Sequence, residues 1–328
     1  MPETCSIRAF APSDAEYAAL AAIGASTPPQ FALDYEFRDA ADWREFDESF
    51  AQAGRALTRY MAACDGVPAG YAYAFEVDWA PPPSRFWCVL RVCPEQRGRG
   101  VGARLYDRLL ADLAGRRAAG LLIELDDSEA ALRPALERRG FRAQLQSWAF
   151  VLDPRACDPS RFAAAYAKLG GLTIATLADE IARGADWLPP LHQLYALVAG
   201  DVPIPIDPHA SPPPEWLEHQ AIGLPESLPE AFFVVRDGER YAGMSFLHAN
   251  GSGRLFQRIT AIHPAYRGRG VAMALKLATI EYARAHGCHE IRTAVESNNP
   301  SMLAINRKFG FEQREGLTLF ERALELPG

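Results

Sequence analysis

Hydrophobic positions along the chain follow two spacings, and each half repeats the same order of elements. Runs of apolar residues predict strands at 6–10, 86–92 and 121–125 in the first half, and at 173–177, 255–262 and 291–295 in the second. Between the last two strands of each half, apolar residues recur at helical spacing. These residues are Val101, Leu105, Leu109 and Leu113 in the first half, and Val271, Leu275, Ala278 and Tyr282 in the second. The order strand, helix, strand requires a parallel pair within a mixed sheet.

Landmarks in the two halves recur in the same order, at offsets close to 170 positions. An Asp-Gly pair, at 65–66 and again at 237–238, predicts a hairpin turn in each half. Further downstream the offset is 170 positions, and it holds for Arg97 with Arg267 and for Phe141 with Phe311. Each half therefore repeats one ordered set of elements, as expected of a duplicated domain.

The length of the chain agrees with two domains, because 328 residues exceed the ~250–300 that one hydrophobic core supports. We predict an N-terminal domain at 1–153, a linker rich in Pro and Asp at 154–171, and a C-terminal domain at 172–328. A Pro-rich segment at 201–229 has two interpretations, a wall or lid on the substrate side and a passive crossover.

Composition and charge exclude several function classes. The formal net charge is −7, and no dense Lys/Arg face is present to bind phosphate backbones, so we expect no nucleic-acid partner. No apolar stretch approaches the ~20 residues that span a bilayer, so we expect no membrane contact, and no signal peptide is predicted. Six scattered cysteines show no Cys-x-x-Cys pair. We therefore expect reduced thiols, no metal site and a cytoplasmic location.

A glycine-rich segment joins a strand to a helix in each half. It reads Arg-Gly-Arg-Gly-Val-Gly at 97–102 and Arg-Gly-Arg-Gly-Val-Ala at 267–272. A turn of this kind exposes consecutive backbone N–H groups at the positive end of the helix dipole, where phosphate binds. Glycine lets a pyrophosphate approach the main chain, and the arginines add positive charge. The alternative is a merely tight turn, and the double occurrence makes it the weaker one.

Two other phosphate-binding motifs do not match. A P-loop requires Gly-x-x-x-x-Gly-Lys-Ser/Thr, and neither segment has the Lys-Ser/Thr ending. A dinucleotide-binding fingerprint has a third glycine where the first half has Ala103, and it follows the first strand of its domain. Here two or three strands precede the motif, so the pattern counts against NAD.

The segments Arg97-x-x-Gly100-x-Gly102 and Arg267-x-x-Gly270-x-Ala272 resemble the acetyl-CoA pyrophosphate signature of the GNAT superfamily of N-acetyltransferases. In the second half, residues 298–311 also resemble the closing motif of that superfamily, in which an Asn starts a helix and Gly-Phe ends it. The resemblance covers both halves. It implies an α+β fold of two tandem GNAT-like domains, each a mixed β-sheet flanked by helices, with acetyl-CoA as the cosubstrate.

The resemblance also implies where acetyl-CoA binds. Pantetheine would lie between two splayed parallel strands, with the pyrophosphate on the glycine turn, while a neutral amine attacks the acetyl carbonyl. The implied binding residues of the second half are Ile262, Arg267, Gly268, Arg269, Gly270, Val271, Ala272 and Asn299. Those of the first half are Val92, Arg97, Gly98, Arg99, Gly100, Val101 and Gly102.

The chain departs from the family pattern at the catalytic positions, where many members have a tyrosine as general acid and a glutamate on the strand before the turn. The replacements are Asn306 and Arg258 in the second half, and Leu136 and Cys88 in the first. The base is then Glu296, at the end of the strand after the helix, or His248, at the end of the hairpin strand, or water. The alternatives are a solvated strand-end carboxylate for Glu296 and a hydrogen-bonded structural histidine for His248.

The resemblance implies an enzyme, an N-acetyltransferase that moves an acetyl group from acetyl-CoA to a primary amine of a small molecule by direct attack. The alternative function is a non-catalytic acetyl-CoA sensor or interaction module on the same fold. We expect the second half to be catalytic because it keeps the Asn-rich closing motif. The first half could catalyse, bind acetyl-CoA without turnover or act as a scaffold, and the protein could be a monomer or a homodimer.

Overall fold

The computed structural model describes residues 5–27, 39–52, 54–77, 84–116, 118–201, 213–250 and 253–324. The chain divides into two compact units, Met1–Gln144 with Thr318–Gly328, and Leu145–Leu317. Each unit therefore includes a strand end contributed by the other half of the sequence. The predicted bounds of 1–153 and 172–328 remain a prediction from local patterns, which carry no trace of pairing between distant segments.

The first unit is a mixed β-sheet with helices on both faces. Its elements are β1 (Cys5–Ala9), α1 (Asp14–Ala25), α2 (Ala40–Gln52), β2 (Leu57–Cys64), β3 (Val67–Glu76), β4 (Arg85–Val92), α3 (Val101–Ala114), β5 (Gly120–Asp126), α4 (Arg133–Arg138), the beginning of β6 (Arg142–Leu152) and the end of β12 (Glu312–Ala323). The strands follow the order β1-β2-β3-β4-β5, and the β4–β5 pair is parallel while β1 to β4 pair antiparallel. Apolar residues of α3 cover one face of the sheet, and those of α1 and α2 cover the other.

A disulfide bond joins Cys5 to Cys64, so the expectation of six reduced thiols is wrong for this pair. The two residues lie opposite each other in the antiparallel pair of β1 and β2, where side chains share one side of the sheet. Their 59-position separation hides this proximity in the sequence. The free thiols are those of Cys88, Cys93, Cys157 and Cys288. The bond removes part of the support for a cytoplasmic location, which rested on reduced cysteines.

The second unit repeats this architecture. Its elements are the end of β6, α5 (Ala164–Ala167), β7 (Thr173–Thr176), α6 (Leu177–Ala182), α7 (Leu188–Val198), α8 (Pro214–Glu218), β8 (Ser227–Asp237), β9 (Arg240–Ala249), β10 (Arg254–Ile262), α9 (Val271–Ala285), β11 (Glu290–Glu296), α10 (Pro300–Phe309) and the beginning of β12 (Glu312–Ala323). The strand order is β6-β11-β10-β9-β8-β7. The β10–β11 pair is parallel, and the other pairs of this order are antiparallel. One core lies under α9 and another under α6 and α7.

The predicted fold class is confirmed in both units, since each is a mixed sheet flanked by helices. In each unit, the strands that precede and follow the helix after the glycine turn pair with each other in parallel. Of the Pro-rich segment at 201–229, residues 202–212 lie outside the described part of the chain. Within the described part, α8 packs against α7. The rings of Trp216 and Tyr195 meet edge to face with their centroids 5.7 Å apart, and Leu217 is buried.

Candidate active site

A glycine turn leads from β10 into α9 and leaves the start of the helix open. Gly268 and Gly270 have φ of +73° and +85°, in the left-handed region that favours glycine. Gly270 is the N-cap of α9, and no side chain caps the helix, so its first N–H groups have no side-chain acceptor. Arg267 Nε donates to the carbonyl of Ile262 at 3.2 Å, which holds the turn on the end of β10. This helix start can therefore receive an anion.

Strands β10 and β11 part beside this turn and open a cleft. Their parallel register runs only from 254–256 on β10 to 290–292 on β11. A β-bulge between Gln257 and Thr260 then turns β10 away from its regular register with β9. Beyond it lies a cavity of about 660 Å³, lined by both strands, the glycine turn and the beginnings of α9 and α10.

The residues predicted from the resemblance converge on this cavity. Those that line it are Ile262, Arg267, Gly268, Gly270, Val271, Ala272 and Asn299. Asn299 also caps α10, because its Oδ1 accepts from the N–H of Met302 at 3.1 Å. Arg269 does not line the cavity; its guanidinium lies over the ring of Tyr266, 5.4 Å from the centroid.

Glu296 lines the cleft at the end of β11. Its side chain is half-buried, and this burial raises the pKa of its carboxyl group above the usual value because the charged form loses solvation. A carboxylate with a raised pKa is a better proton acceptor than one in water. The structure thus puts one of the two predicted bases at the cleft.

His248, the other predicted base, lies elsewhere. It is buried on β9 and is absent from the residues that line the cleft. Its Nε2 is 2.9 Å from the carbonyl oxygen of Gln220, which can only accept, so Nε2 carries a proton and donates it. Burial lowers the pKa of this imidazole, which keeps it neutral. The geometry is that of a hydrogen-bonded structural histidine.

A buried polar cluster at the point where β10 and β11 begin to part was missed by sequence reasoning. The Nε2 of Gln257 donates to the hydroxyls of Ser245 at 2.8 Å and Thr260 at 3.1 Å. Its Oε1 accepts from Lys276 Nζ, and its backbone carbonyl accepts from Thr293 Oγ1 at 3.1 Å. The available signal was a lysine inside the apolar run Ala-Leu-Lys-Leu-Ala of α9.

Lys168 is a second residue that sequence reasoning missed. It follows α5, and its Cβ would lie 3.3 Å from a Cβ placed on Gly270. Its exposed side chain therefore runs along the glycine turn, with Cδ 3.4 Å from the same added Cβ. Nothing in the predicted linker at 154–171 indicated this contact, since it depends on how α5 packs on α9.

Comparison with known proteins shows the family of the chain. The acetyltransferase (GNAT) family profile matches residues 20–141 and 192–311, more than half of the chain. The chain belongs to the GNAT acetyltransferase family. Because the profile matches twice, it is a tandem GNAT protein, and its enzyme class is that of the acyltransferases.

Three relatives extend this comparison over most of the chain. A mycothiol acetyltransferase of Clavibacter michiganensis subsp. michiganensis is 26% identical over 260 residues, which is 79% of this chain and 78% of that protein. The structure of a GCN5-related N-acetyltransferase from Sphaerobacter thermophilus has 19% identity and a TM-score of 0.67, with coverage of 98% and 96%. A tandem GNAT protein from the clavulanic acid biosynthesis pathway has 18% identity and a TM-score of 0.67, with coverage of 99% and 100%. The two structures show a shared fold.

The first GNAT copy has an intact glycine turn. Gly98 and Gly100 have φ of +77° and +74°, and Gly100 is the uncapped N-cap of α3, which begins at the buried Val101. Arg97 Nε donates to the carbonyl of Val92 at 3.3 Å, as Arg267 does to Ile262 in the second copy. The remaining predicted residues of this turn are Arg99, which donates to Gln96, and Gly102, which lies against Leu90 and Val92.

The surroundings of this first turn differ from those of the second. Strand β4 pairs with β3 without a bulge, whereas β10 has one. The carboxylate of Glu129, only 9% exposed, accepts from Arg91 at 3.2 Å and from Arg97 at 3.4 Å. An acidic group of the protein itself thus faces the arginine predicted to meet the pyrophosphate.

Two further findings concern metal binding and membrane crossing, for which the sequence had already given expectations. Among the described residues, no group of three or more His, Cys, Asp or Glu side chains is arranged to hold a metal ion. None of the helices within the described ranges is both long and apolar enough to cross a bilayer.

Proposed function

We propose that the second GNAT copy transfers an acetyl group from acetyl-CoA to a primary amine of a small molecule. The observation that carries this proposal is the cleft between β10 and β11. It is lined by an uncapped helix start, suited to a pyrophosphate, and by the carboxylate of Glu296. One cavity therefore contains groups suited to both substrates, acetyl-CoA and the amine.

The residues at the turn fit a diphosphate. A Cβ added at Gly268 would meet no atom within 4 Å, so the main chain there is open to close approach. The N–H groups of Val271 and Ala272 begin α9, and Arg267 and Lys168 add positive charge. The cavity then continues along Ile262, where an extended arm can hydrogen-bond to the free edge of β10.

Glu296 is the proposed general base. As the amine nitrogen bonds to the acetyl carbon, it must lose a proton, and the half-buried carboxylate of Glu296 can accept it directly or through one water. His248 is not part of this proposal, because its Nε2 is engaged with Gln220 outside the cleft.

The acceptor class and the setting are also part of the proposal. The similarity to a mycothiol acetyltransferase supports a small-molecule acceptor, and the net charge of −7 favours an amine over a nucleic acid. We keep the cytoplasm as the proposed location, and a monomer or homodimer as the proposed state. The rival function, an acetyl-CoA sensor without turnover, uses the same cleft.

Calorimetry and thiol release separate these possibilities. Acetyl-CoA is titrated into the protein, and free thiol is then followed with a panel of small primary amines. We expect binding of acetyl-CoA and amine-dependent thiol release. Binding without release for any amine would favour the sensor. Preferential binding of NAD would contradict both functions.

A further inference from the structure

Lys276 is a buried cation at the cleft that the proposed mechanism does not yet use. It lines the cavity, yet its side chain is 1% exposed. Its Nζ donates to Gln257 Oε1 and lies 4.3 Å from the ring centroid of Phe311. Within the described part of the chain, no carboxylate lies within ion-pair distance of it. A buried ammonium without a counter-ion is costly, so the site favours either loss of its proton or an anionic ligand.

The position of Lys276 along the cleft indicates which anion it meets. Gln257 and Thr293, which are joined by a hydrogen bond, are the first residues beyond the last parallel pair of β10 and β11, so Lys276 lies where the strands begin to part. From Ile262, beside the glycine turn, to Gln257 is five residues, about 17 Å of extended strand. A chain whose phosphates bind the turn and whose arm follows β10 inward presents its far end, the thioester sulfur, toward this place.

The chain also lacks the usual proton donor for that sulfur. The position where many family members have a tyrosine is Asn306, which is fully buried and does not line the cleft. Its amide oxygen and nitrogen have no hydrogen-bond partner among the residues described. In the first copy, the position equivalent to Lys276 is Tyr106, whose hydroxyl accepts from Arg322.

We propose that Lys276 is the general acid of the second copy and donates its proton to the departing sulfur of CoA. This inference rests on the proposed function. As the amine nitrogen bonds to the acetyl carbon, the carbon–sulfur bond breaks and its electron pair goes to sulfur. The Lys276 ammonium gives this sulfur a proton, forming the thiol, while the proton of the amine passes through water to Glu296, which lies three residues beyond Thr293 on β11. Glu296 then loses its proton to solvent and Lys276 regains one, so the net change is amine plus thioester to amide plus thiol.

The electrostatics of the cleft support this role. Desolvation lowers the pKa of Lys276 to about 7, below the ~8.5 of an ordinary thiol, so the proton passes downhill to a thiolate. The other charged side chains that line the cleft are Arg258, Arg267 and Glu296. Gln257, which accepts from Lys276, is uncharged, and so are its own hydrogen-bond partners Ser245 on β9 and Thr293 on β11.

The test measures the thiol of bound CoA and needs no acceptor amine. CoA is bound to the wild type, and its thiolate is titrated by ultraviolet difference absorbance against free CoA. We expect a thiol pKa lower than that of free CoA by about one unit or more, a tenfold change in proton affinity. Lys276→Met should abolish the shift, whereas Lys276→Arg, which keeps the charge, should preserve it. Lys308→Met, an exposed control on α10, should match the wild type.

Each result decides a different point. The same thiol pKa in the wild type and Lys276→Met, with CoA bound to both, would overturn the role of Lys276. A wild type that binds no CoA would instead overturn the proposed function. Lys276→Gln replaces Lys276→Met if circular dichroism shows the latter to be unfolded.

A measurement on the unaltered chain covers the case in which neither neutral variant folds. The sequence has three lysines, Lys168, Lys276 and Lys308, so carbon-13 resonances of labelled lysine can be assigned with variants of the two exposed ones. The pKa of Lys276 should rise when CoA is bound and not when desulfo-CoA is bound. An equal response to both ligands would overturn the inference.

Discussion

Gly270 is required for two separate reasons, its backbone and its neighbour. Its φ of +85° costs an L-residue about 1–2 kcal/mol, and a Cβ there would lie 3.3 Å from Lys168 Cβ. Gly100 in the first copy has a similar φ of +74° but no atom within 4 Å of an added Cβ. The same substitution therefore strains both turns but displaces a neighbouring side chain only in the second.

Gly270→Leu is expected to lower thiol release by about 10²-fold or more, because a leucine side chain enters the space of the diphosphate and shifts the bound donor. Gly100→Leu is expected to leave most of the activity. Steady-state thiol release is measured for both variants, with circular dichroism as the check on folding. Equal losses would mean that the two copies are coupled, and a loss only with Gly100→Leu would reverse the assignment of the catalytic copy.

Because the pKa of Glu296 is raised, the pH profile of kcat/KM should have an acidic limb. The base must be ionised, so kcat/KM should fall as the pH drops through the pKa of this carboxyl group, which burial holds above its usual value. Glu296→Gln should remove this limb and lower kcat by about 10²–10⁴-fold. The measurement is kcat/KM against pH.

Glu290→Gln provides a matched control at the other end of β11. Glu290 accepts from Arg292 at 2.6 Å and does not line the cleft, so its loss should leave the acidic limb in place. The pKa of Glu296 is higher in the folded protein than in the unfolded chain. Ionised Glu296 therefore destabilises the fold at any pH above the pKa of the unfolded carboxyl group. Glu296→Gln should therefore keep or raise the melting temperature at neutral pH. An acidic limb that survives in Glu296→Gln would exclude this residue as the base.

At the scale of elements, the strands, helices and glycine turns of the repeat were predictable, while their long-range pairing was not. Periodicity and Asp-Gly pairs indicate local structure, and they placed β4, β5, β10, β11 and the helices between them. The bulge in β10 depends on pairing with β9, and the contact of Lys168 with Gly270 depends on packing between helices. The sequence showed Lys276 as a charge within an apolar helix, but its hydrogen bond to Gln257 on β10 could be found only from the structure.

The Cys5–Cys64 bond belongs to this class of long-range features and stabilises an edge of the first sheet. It holds β1, the outermost strand of the first unit, to β2 across 59 positions of sequence. A bond that closes a loop of this size contributes about 2–4 kcal/mol, chiefly by restricting the unfolded chain. Cys5→Ala with Cys64→Ala should thus lower the melting temperature of the first unit by roughly 4–16 °C.

Differential scanning calorimetry measures this shift, with and without dithiothreitol. The wild type in reductant should approach the double variant, and the double variant should not respond to reductant. Cys93→Ala, which alters a free half-buried thiol on the same unit, is the control and should behave as the wild type. If the wild type and the double variant melt together in oxidising buffer, the bond contributes nothing to stability.

At the scale of the whole molecule, the two GNAT copies differ in the surroundings of their glycine turns. The second has a bulged β10, a cleft that reaches Glu296 and Lys276, and an α10 capped by Asn299. The first keeps the turn but has a regular β4 and a carboxylate, Glu129, on Arg97. Aromatic residues led by Trp43, Tyr71 and Tyr73 fill the sheet face under its α1 and α2. We infer that the first copy is a scaffold.

A scaffold predicts the binding stoichiometry. Calorimetry should show one molecule of acetyl-CoA per chain, because Glu129 already neutralises Arg97 and would repel a diphosphate at the first turn. Gly270→Leu should remove this binding, and Gly100→Leu should leave it. Glu129→Gln frees Arg97 of its negative partner without changing the turn, so any second site should appear or strengthen in that variant. Two sites in the wild type, one lost with each glycine substitution, would show that both copies bind the donor and that Glu129 is displaced by it.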